Sequence, residues 1–314
     1  MRVVLLAGGV GGAKLADGLA AHLAEDLTVV VNTADDLELH GLAIWPDHDT
    51  VTYTLAGLDD EERGWGLRDE TWAVMDGLGA LGDEQWFRLG DRDIATHIWR
   101  TDRLRAGSRP TEVALELATA LGIAPTILPM ADDPVRTEVL TDEGWLEFQE
   151  YFVLRHQAPD VAEVRFRGIE GAQATPEVLA ALRAAEVIVI APSNPIVSIG
   201  PIIALPGIAV ALAGARERGI PIIAVSGIIG GRALKGPADR MLISLGHESS
   251  ALGVARLYAG HATAFVVDAT DAASTSSIAA LGLRPVVADT VMSDDAGRSR
   301  VAAEVIRAAA TTVA

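Results

Sequence analysis

Short apolar runs recur along this chain and alternate with longer stretches in which apolar residues return every three or four positions. The runs at residues 3–7, 28–31, 126–128, 187–190, 221–225 and 264–267 are apolar on both faces, as buried parallel strands require. Helical spacing marks 13–23, where Leu15, Leu19 and Leu23 share a face, and also 176–185, 238–245, 249–258 and 298–311. Between the second and third strands, the segments 50–57, 69–81, 91–106 and 111–121 predict a long helical block. Residues 136–140, 144–148, 151–155 and 161–167 are rich in β-formers and predict a small antiparallel excursion. The pattern predicts a Rossmann-like α/β fold. It expects a parallel sheet with helices on both faces and a helical insertion at about 50–122, all in one compact unit over 1–314.

Sites in such sheets gather at the carboxyl ends of the strands. The first strand ends in Gly8, Gly9, Gly11 and Gly12, followed by Lys14. A strand turning through glycines into a helix presents backbone N–H groups at the positive end of the helix dipole, a ready phosphate site. The spacing fits neither the P-loop nor the three-glycine dinucleotide fingerprint, and glycines can also serve close packing alone. The second strand ends in Asn32, Asp35 and Asp36, the strand at 187–190 in Ser193 and Asn194, and the strand at 221–225 in a glycine-rich loop reaching Lys235. Turn chemistry selects the same residue types, but four such loops together favour a nucleotide. Only two of the 25 basic residues are lysines, Lys14 and Lys235, each beside a glycine turn where a compact ammonium suits phosphate. Gly9, Gly11, Gly12, Lys14, Ser193, Asn194 and Lys235 are therefore the candidate nucleotide and phosphate ligands.

A formal charge of −18 argues against nucleic acid as a partner. The apolar stretch around 188–213 is broken by four prolines, so no membrane span is expected, and no signal peptide opens the chain. Cysteine is absent, which excludes disulfides and thiolate metal sites and fits a cytoplasmic protein. The apolar face at 199–213 suggests a homodimer.

Carboxylates supply the candidate metal ligands. Asp35, Asp36 and Asp47 are hard oxygen donors of the kind that share Mg²⁺ with substrate phosphates. Asp49 reads equally well as a functional group or as the N-cap of the helix that follows. His40 and His48 are read as structural rather than as bases. Trp45, Trp65, Trp72, Trp86 and Trp99 fall in the helical block, where they could line a pocket for a flat ring or form a satellite core.

Several segments together resemble the 2-phospho-L-lactate transferase family (CofD in archaea, FbiA in actinobacteria). They are LAGGVGGAKL at 6–15, NTADD at 32–36, PDHDTVTYTLAG at 46–57 and WFRLGD at 86–91, then MADDPVRT at 130–137 and FQEYF at 148–152. PSNP at 192–195, SIGP at 198–201 and LKGPAD at 234–239 complete the set. The resemblance runs in order from the first strand to about Thr290.

What the resemblance implies is a step in making coenzyme F420. A phosphate-linked three-carbon acid would pass from a guanosine diphosphate conjugate to the terminal hydroxyl of the deazaflavin Fo, releasing GMP and requiring Mg²⁺. The family's Asp and Lys contacts to the deazaflavin fall on Asp49 and Arg88, so the lysine is an arginine here, with the same charge but a different reach. Asp49 is also the candidate catalytic residue, and the tryptophan block becomes the natural ring site. Lys14, Lys235 or Arg136 would offset diphosphate charge. Two rivals are a nucleotide-sugar-binding regulator of the same superfamily and an NAD(P)-dependent oxidoreductase. The second wants an acidic residue where Asn32 closes the second strand.

Overall fold

A computed structural model describes residues 1–311. Seven strands form its central sheet: β1 (Val3–Ala7), β2 (Leu27–Val31), β3 (Thr126–Pro129), β4 (Val187–Ile190), β5 (Ile222–Val225), β6 (Ala264–Asp268) and β7 (Arg284–Ala288). Their spatial order is β7-β6-β5-β4-β1-β2-β3, and every pairing is parallel. β1 pairs with β2 from Val3 opposite Leu27 and with β4 from Val3 opposite Val187. The chain thus runs outward from β1 to β3, then returns to the other side of β1. That reversal makes β1 and β4 the switch point, the place where open α/β sheets hold ligands.

Burial follows from the pleat. Val4 and Leu6 of β1, with Ile188 and Ile190 of β4, enter one core, while Val3, Leu5, Val187 and Val189 enter the other. Helices Pro176–Ala184, Ile199–Ala204, Pro206–Glu217 and Ala251–Tyr258 cover the first face. Helix α1 (Gly9–Leu23) and helix Asp295–Ala310 cover the second, Leu15 and Leu19 meeting Val301 and Val305. The apolar 199–213 stretch is spent largely on this core: Ile199, Ile202, Ile208 and Leu212 are buried, and Val210 is the one large apolar side chain that stands well exposed. No helix among the described residues is long and apolar enough to cross a membrane.

Between β2 and β3 the chain builds a wall beside the sheet's carboxyl edge. It starts before residue 50, in an antiparallel hairpin of Leu37–Leu39 and Leu42–Ile44. It continues through α2 (Pro46–Leu55), α3 (Ala73–Ala80), α4 (Asp91–Arg105) and α5 (Pro110–Ala120). Helix α2 begins four residues earlier than its apolar spacing indicates, because Pro46 is preset for a first helical turn. Asp49 therefore lies inside that turn, and the N-cap reading is corrected.

Beyond β3, strand Arg136–Thr141 pairs antiparallel with both Gly144–Glu147 and Glu163–Arg167. The expected strand at 151–155 is instead a π-helical turn, Glu150–Leu154. Phe148 and Phe152 stack with ring centroids 5.5 Å apart, and Tyr151 is buried against Val139 and Val161. Contacts four residues apart need a helical turn, and they override the β-propensity of Tyr, Phe and Val.

Candidate active site

A cavity of about 790 Å³ opens at the switch point, large enough for a sizeable organic ligand. Its floor comes from the loops after β1 and β4, its walls from the β2–β3 insertion, the Phe148–His156 segment and the loop at Lys235.

The glycine turn is built for close approach. Helix α1 starts at Gly9, one residue after the strand-ending turn, so Gly9 and Gly11 lie in its first turn at the cavity floor. A side chain on Gly8 would strike the Asp47 carboxylate, and one on Gly11 would strike the Pro192 carbonyl. Gly12 does not line the cavity: it packs against Ala7 and Ser193. Ser193 locks the turn by donating to the Gly8 carbonyl at 2.6 Å and accepting from the Gly8 N–H at 3.2 Å. The Asn194 side chain accepts from the Ile196 N–H at 2.9 Å and shapes its own loop. Lys235 lines the cavity beside Gly64. Lys14 faces an adjoining crevice with Asp59 and Glu61 and donates to the Met292 carbonyl at 2.9 Å. Burial, with Arg298 and Lys235 nearby, lowers its pKa.

Beside the glycines sit Asp35, Asp36 and Asp47, all buried. Asn32 donates to Asp47 at 3.0 Å, and the Gly9 N–H also points at this carboxylate. Burial still raises the Asp47 pKa to about 6. Burial, reinforced by Asp47, pushes Asp35 well above the carboxylate range, and burial does the same to Asp36. Thr137 and Asn32 approach the Asp35 carboxyl and partly offset its rise, yet among the described residues Asp35 Oδ1, Asp36 Oδ1, Thr33 Oγ1 and Thr137 Oγ1 are buried without a well-formed hydrogen bond. Oxygens left orphaned beside mutually repelling carboxylates are what a hard divalent cation would satisfy.

A second carboxylate group lies in the wall and is arranged differently. Arg100, fully buried on α4, grips both Asp49 oxygens, with Nη1 at 3.0 Å from Oδ2. Tyr53 donates to Asp93 at 2.6 Å, and His97 Nε2 lies 3.2 Å from the same Asp93 oxygen. Asp49, Asp93 and His97 each offer a ligand atom within 4.8 Å of the others, so they too could in principle surround a metal.

The aromatic block divides. Trp65, Trp72 and Trp86 line the cavity together with Arg63 and Arg88. Both guanidiniums stand over the Trp72 ring, at 5.2 and 5.0 Å, and Arg88 pairs with Asp76 at 2.6 Å. Trp45 lies beneath Arg100 and Trp99 beneath Arg103, outside the cavity. His48 is buried against Trp45, and burial lowers its pKa to about 3, so it stays neutral and structural. His40 sits outside the cavity wall, its Nδ1 3.1 Å from Asp83.

Sequence reading did not single out Asp93, His97 and Arg100, or Arg63, Phe148 and Phe152. For the first three a signal was present: positions i, i+4 and i+7 put three polar groups on one face of α4, the face that turns inward.

Residues 3–309 match the family model described as 2-phospho-L-lactate transferase CofD. The chain belongs to this family. It is 43% identical over 305 residues to a 2-phospho-L-lactate transferase of Methanosarcina acetivorans, covering 97% of each chain. It is also 42% identical over 301 residues to a phosphoenolpyruvate transferase of Streptomyces griseus, covering 94% of each. A solved Bacillus halodurans protein shares the fold, with a TM-score of 0.63 at 17% identity over 97% of this chain and 99% of that one.

Proposed function

We propose that this protein transfers a phosphate-linked three-carbon acid from a guanosine diphosphate conjugate to the deazaflavin Fo, releasing GMP, in coenzyme F420 biosynthesis. The observation that carries the reading is the set of buried, unpartnered oxygens beside the glycine turn at the mouth of α1. Such a floor suits a diphosphate and its metal, and the adjoining wall of tryptophans and arginines suits a flat ring. Membership of a family whose relatives are named as transferases of phospholactate and of phosphoenolpyruvate supports the same chemistry.

The reaction forms a bond from the Fo hydroxyl oxygen to the phosphorus bearing the three-carbon acid and breaks that phosphorus's bond to the bridging oxygen, which leaves with GMP, while the hydroxyl proton passes to solvent. Catalysis of such a transfer rests on alignment and on neutralising charge. The α1 backbone N–H groups and Lys235 would bind the diphosphate, with Ser193 and Asn194 holding the floor in shape. Asp35 and Asp47, with Asp36 behind them, would hold Mg²⁺, which would screen the phosphate oxygens. Asp49 and Arg88 would orient Fo between the tryptophans and the floor. Asp49, with both oxygens gripped by Arg100, serves as a fixed hydrogen-bond acceptor.

Incubation with Fo, Mg²⁺ and either a phospholactyl or an enolpyruvyl guanosine diphosphate should release GMP in step with a new phosphodiester of Fo. No GMP with either donor would overturn the reading, and so would GMP release that does not depend on Fo.

A further inference from the structure

Asp49, Asp93 and His97 each offer a ligand atom within 4.8 Å of the others, but a cation, the Arg100 guanidinium, already bonds two of the three. Arg100 Nη1 lies 3.0 Å from Asp49 Oδ2 and 3.3 Å from His97 Nδ1, while Nη2 bonds Asp49 Oδ1. With His97 Nδ1 accepting from the guanidinium, the imidazole proton falls on Nε2, which lies 3.2 Å from Asp93 Oδ1 as a charge contact rather than a well-formed hydrogen bond. Asp93 is further occupied by the Tyr53 hydroxyl at 2.6 Å. Burial opposes the charge on Arg100, and the ion pair with Asp49 outweighs it, raising the Arg100 pKa. The other side of the guanidinium is fixed as well: Nη1 reaches the Ala43 carbonyl at 3.2 Å, and Cζ lies 4.3 Å above the Trp45 ring.

A fully buried ion pair adds little to stability over a well-packed apolar pair. This one stands directly behind a cavity wall. Asp49, Asp93, His97 and Tyr53 all line the cavity, while Arg100 does not. Arg100 therefore reaches a bound ligand only through the carboxylate it holds.

We propose that Arg100 is a positioning residue, a resident cation that takes the place of a metal in this triad and fixes the Asp49 carboxylate in the orientation that meets the acceptor. The proposal rests on the reading of Asp49 as an acceptor contact. A planar fork on both oxygens sets the plane of the carboxylate, which an ammonium would not. The His97–Asp93–Tyr53 chain holds the fork from the far side.

The test compares wild type with D49N, R100K, R100Q and the D49N/R100Q double variant. Thermal melting is followed in each, with kcat and KM for Fo read from GMP release. R100K is expected to melt close to wild type while KM for Fo rises about tenfold, because charge is kept and orientation lost. D49N and R100Q should each lower kcat/KM for Fo by more than about tenfold, and the double variant should lie within about twofold of D49N. A purely structural Arg100 would instead lower kcat with the folded fraction and leave KM for Fo at its wild-type value, overturning the proposal. Losses that multiply in the double variant would overturn it too. Wild-type kinetics in D49N would overturn the Asp49 reading itself, and this proposal with it. A loss in D49N with none in R100K or R100Q would overturn this proposal alone.

Discussion

The cavity is bounded by two carboxylate groups close in sequence and opposite in electrostatic arrangement. On the floor, Asp35, Asp36 and Asp47 are buried with no cation gripping them, and their pKa values rise. In the wall, Asp49 and Asp93 are equally buried but meet Arg100, His97 and Tyr53, and His97 holds the Asp93 pKa down against burial. Burying a charge is costly unless it is paired. The wall has its partner built in. Among the described residues the floor has no close ion pair and feels Arg136 and Arg100 only at longer range, so it favours whatever cation the substrate brings. Asp47 and Asp49 lie two residues apart on the same helical turn and face these different fates.

The sharpest way to break this contrast is to neutralise the floor. Asp47→Asn should cut turnover by at least about a hundredfold, since charge stabilisation by a bound metal is worth several kcal/mol. Without metal, the same variant should melt above wild type at pH 8, because it removes a buried repelling charge. A lower melting temperature would show that Asp47 is stabilising and the floor is not strained.

The pH dependence follows from the direction of the Asp47 shift. Its folded pKa of about 6 lies above the ordinary aspartate value of 3.8. The folded state therefore holds this proton more tightly than the unfolded chain does. Its contribution to stability is greatest at acid pH and is lost as pH rises from about 4 to about 6. In metal-free protein, the melting temperature of wild type relative to Asp47→Asn should fall across that window and then level. Apparent Mg²⁺ affinity should run the other way, rising towards pH 6 as the competing proton leaves. A flat relative stability from pH 4 to 7 would contradict the shift.

Smaller effects belong to the aromatic wall. Arg88→Ala should weaken Fo binding by about tenfold or more, since one charged contact is worth roughly 1.5–3 kcal/mol, while Arg88→Lys should keep most of the affinity. Equilibrium titration of Fo checks both. Fo alone should quench tryptophan fluorescence through Trp65, Trp72 and Trp86. Trp99→Phe should leave the fractional quench nearly unchanged, because Trp99 is stacked on Arg103 outside the cavity.

Six of the seven sheet strands were legible as short apolar runs, because burial on both faces leaves so plain a mark. The edge strand Arg284–Ala288 escaped because its residues are half exposed and it contains a proline. The glycine turn, Ser193, Asn194 and Lys235 were legible as strand-end chemistry, and the structure brings them to one cavity. Lys14 faces the neighbouring crevice instead, five residues and so about 140° around α1 from Gly9. Arg100 was hidden for a different reason. An arginine on a helix with many charged residues reads as solvent-exposed; its i, i+4, i+7 spacing with Asp93 and His97 marks a shared face, but the tertiary fold is what turns that face inward.

The central claim is that the floor takes the cation while the wall keeps its own. Calorimetric titration of Mg²⁺ in the presence of GDP tests it most directly, using wild type, Asp47→Asn and Asp93→Asn. The account predicts that Asp47→Asn abolishes the metal-binding heat and that Asp93→Asn retains it with affinity within about threefold of wild type, a difference under roughly 0.7 kcal/mol. Binding that survives Asp47→Asn and disappears in Asp93→Asn would contradict it.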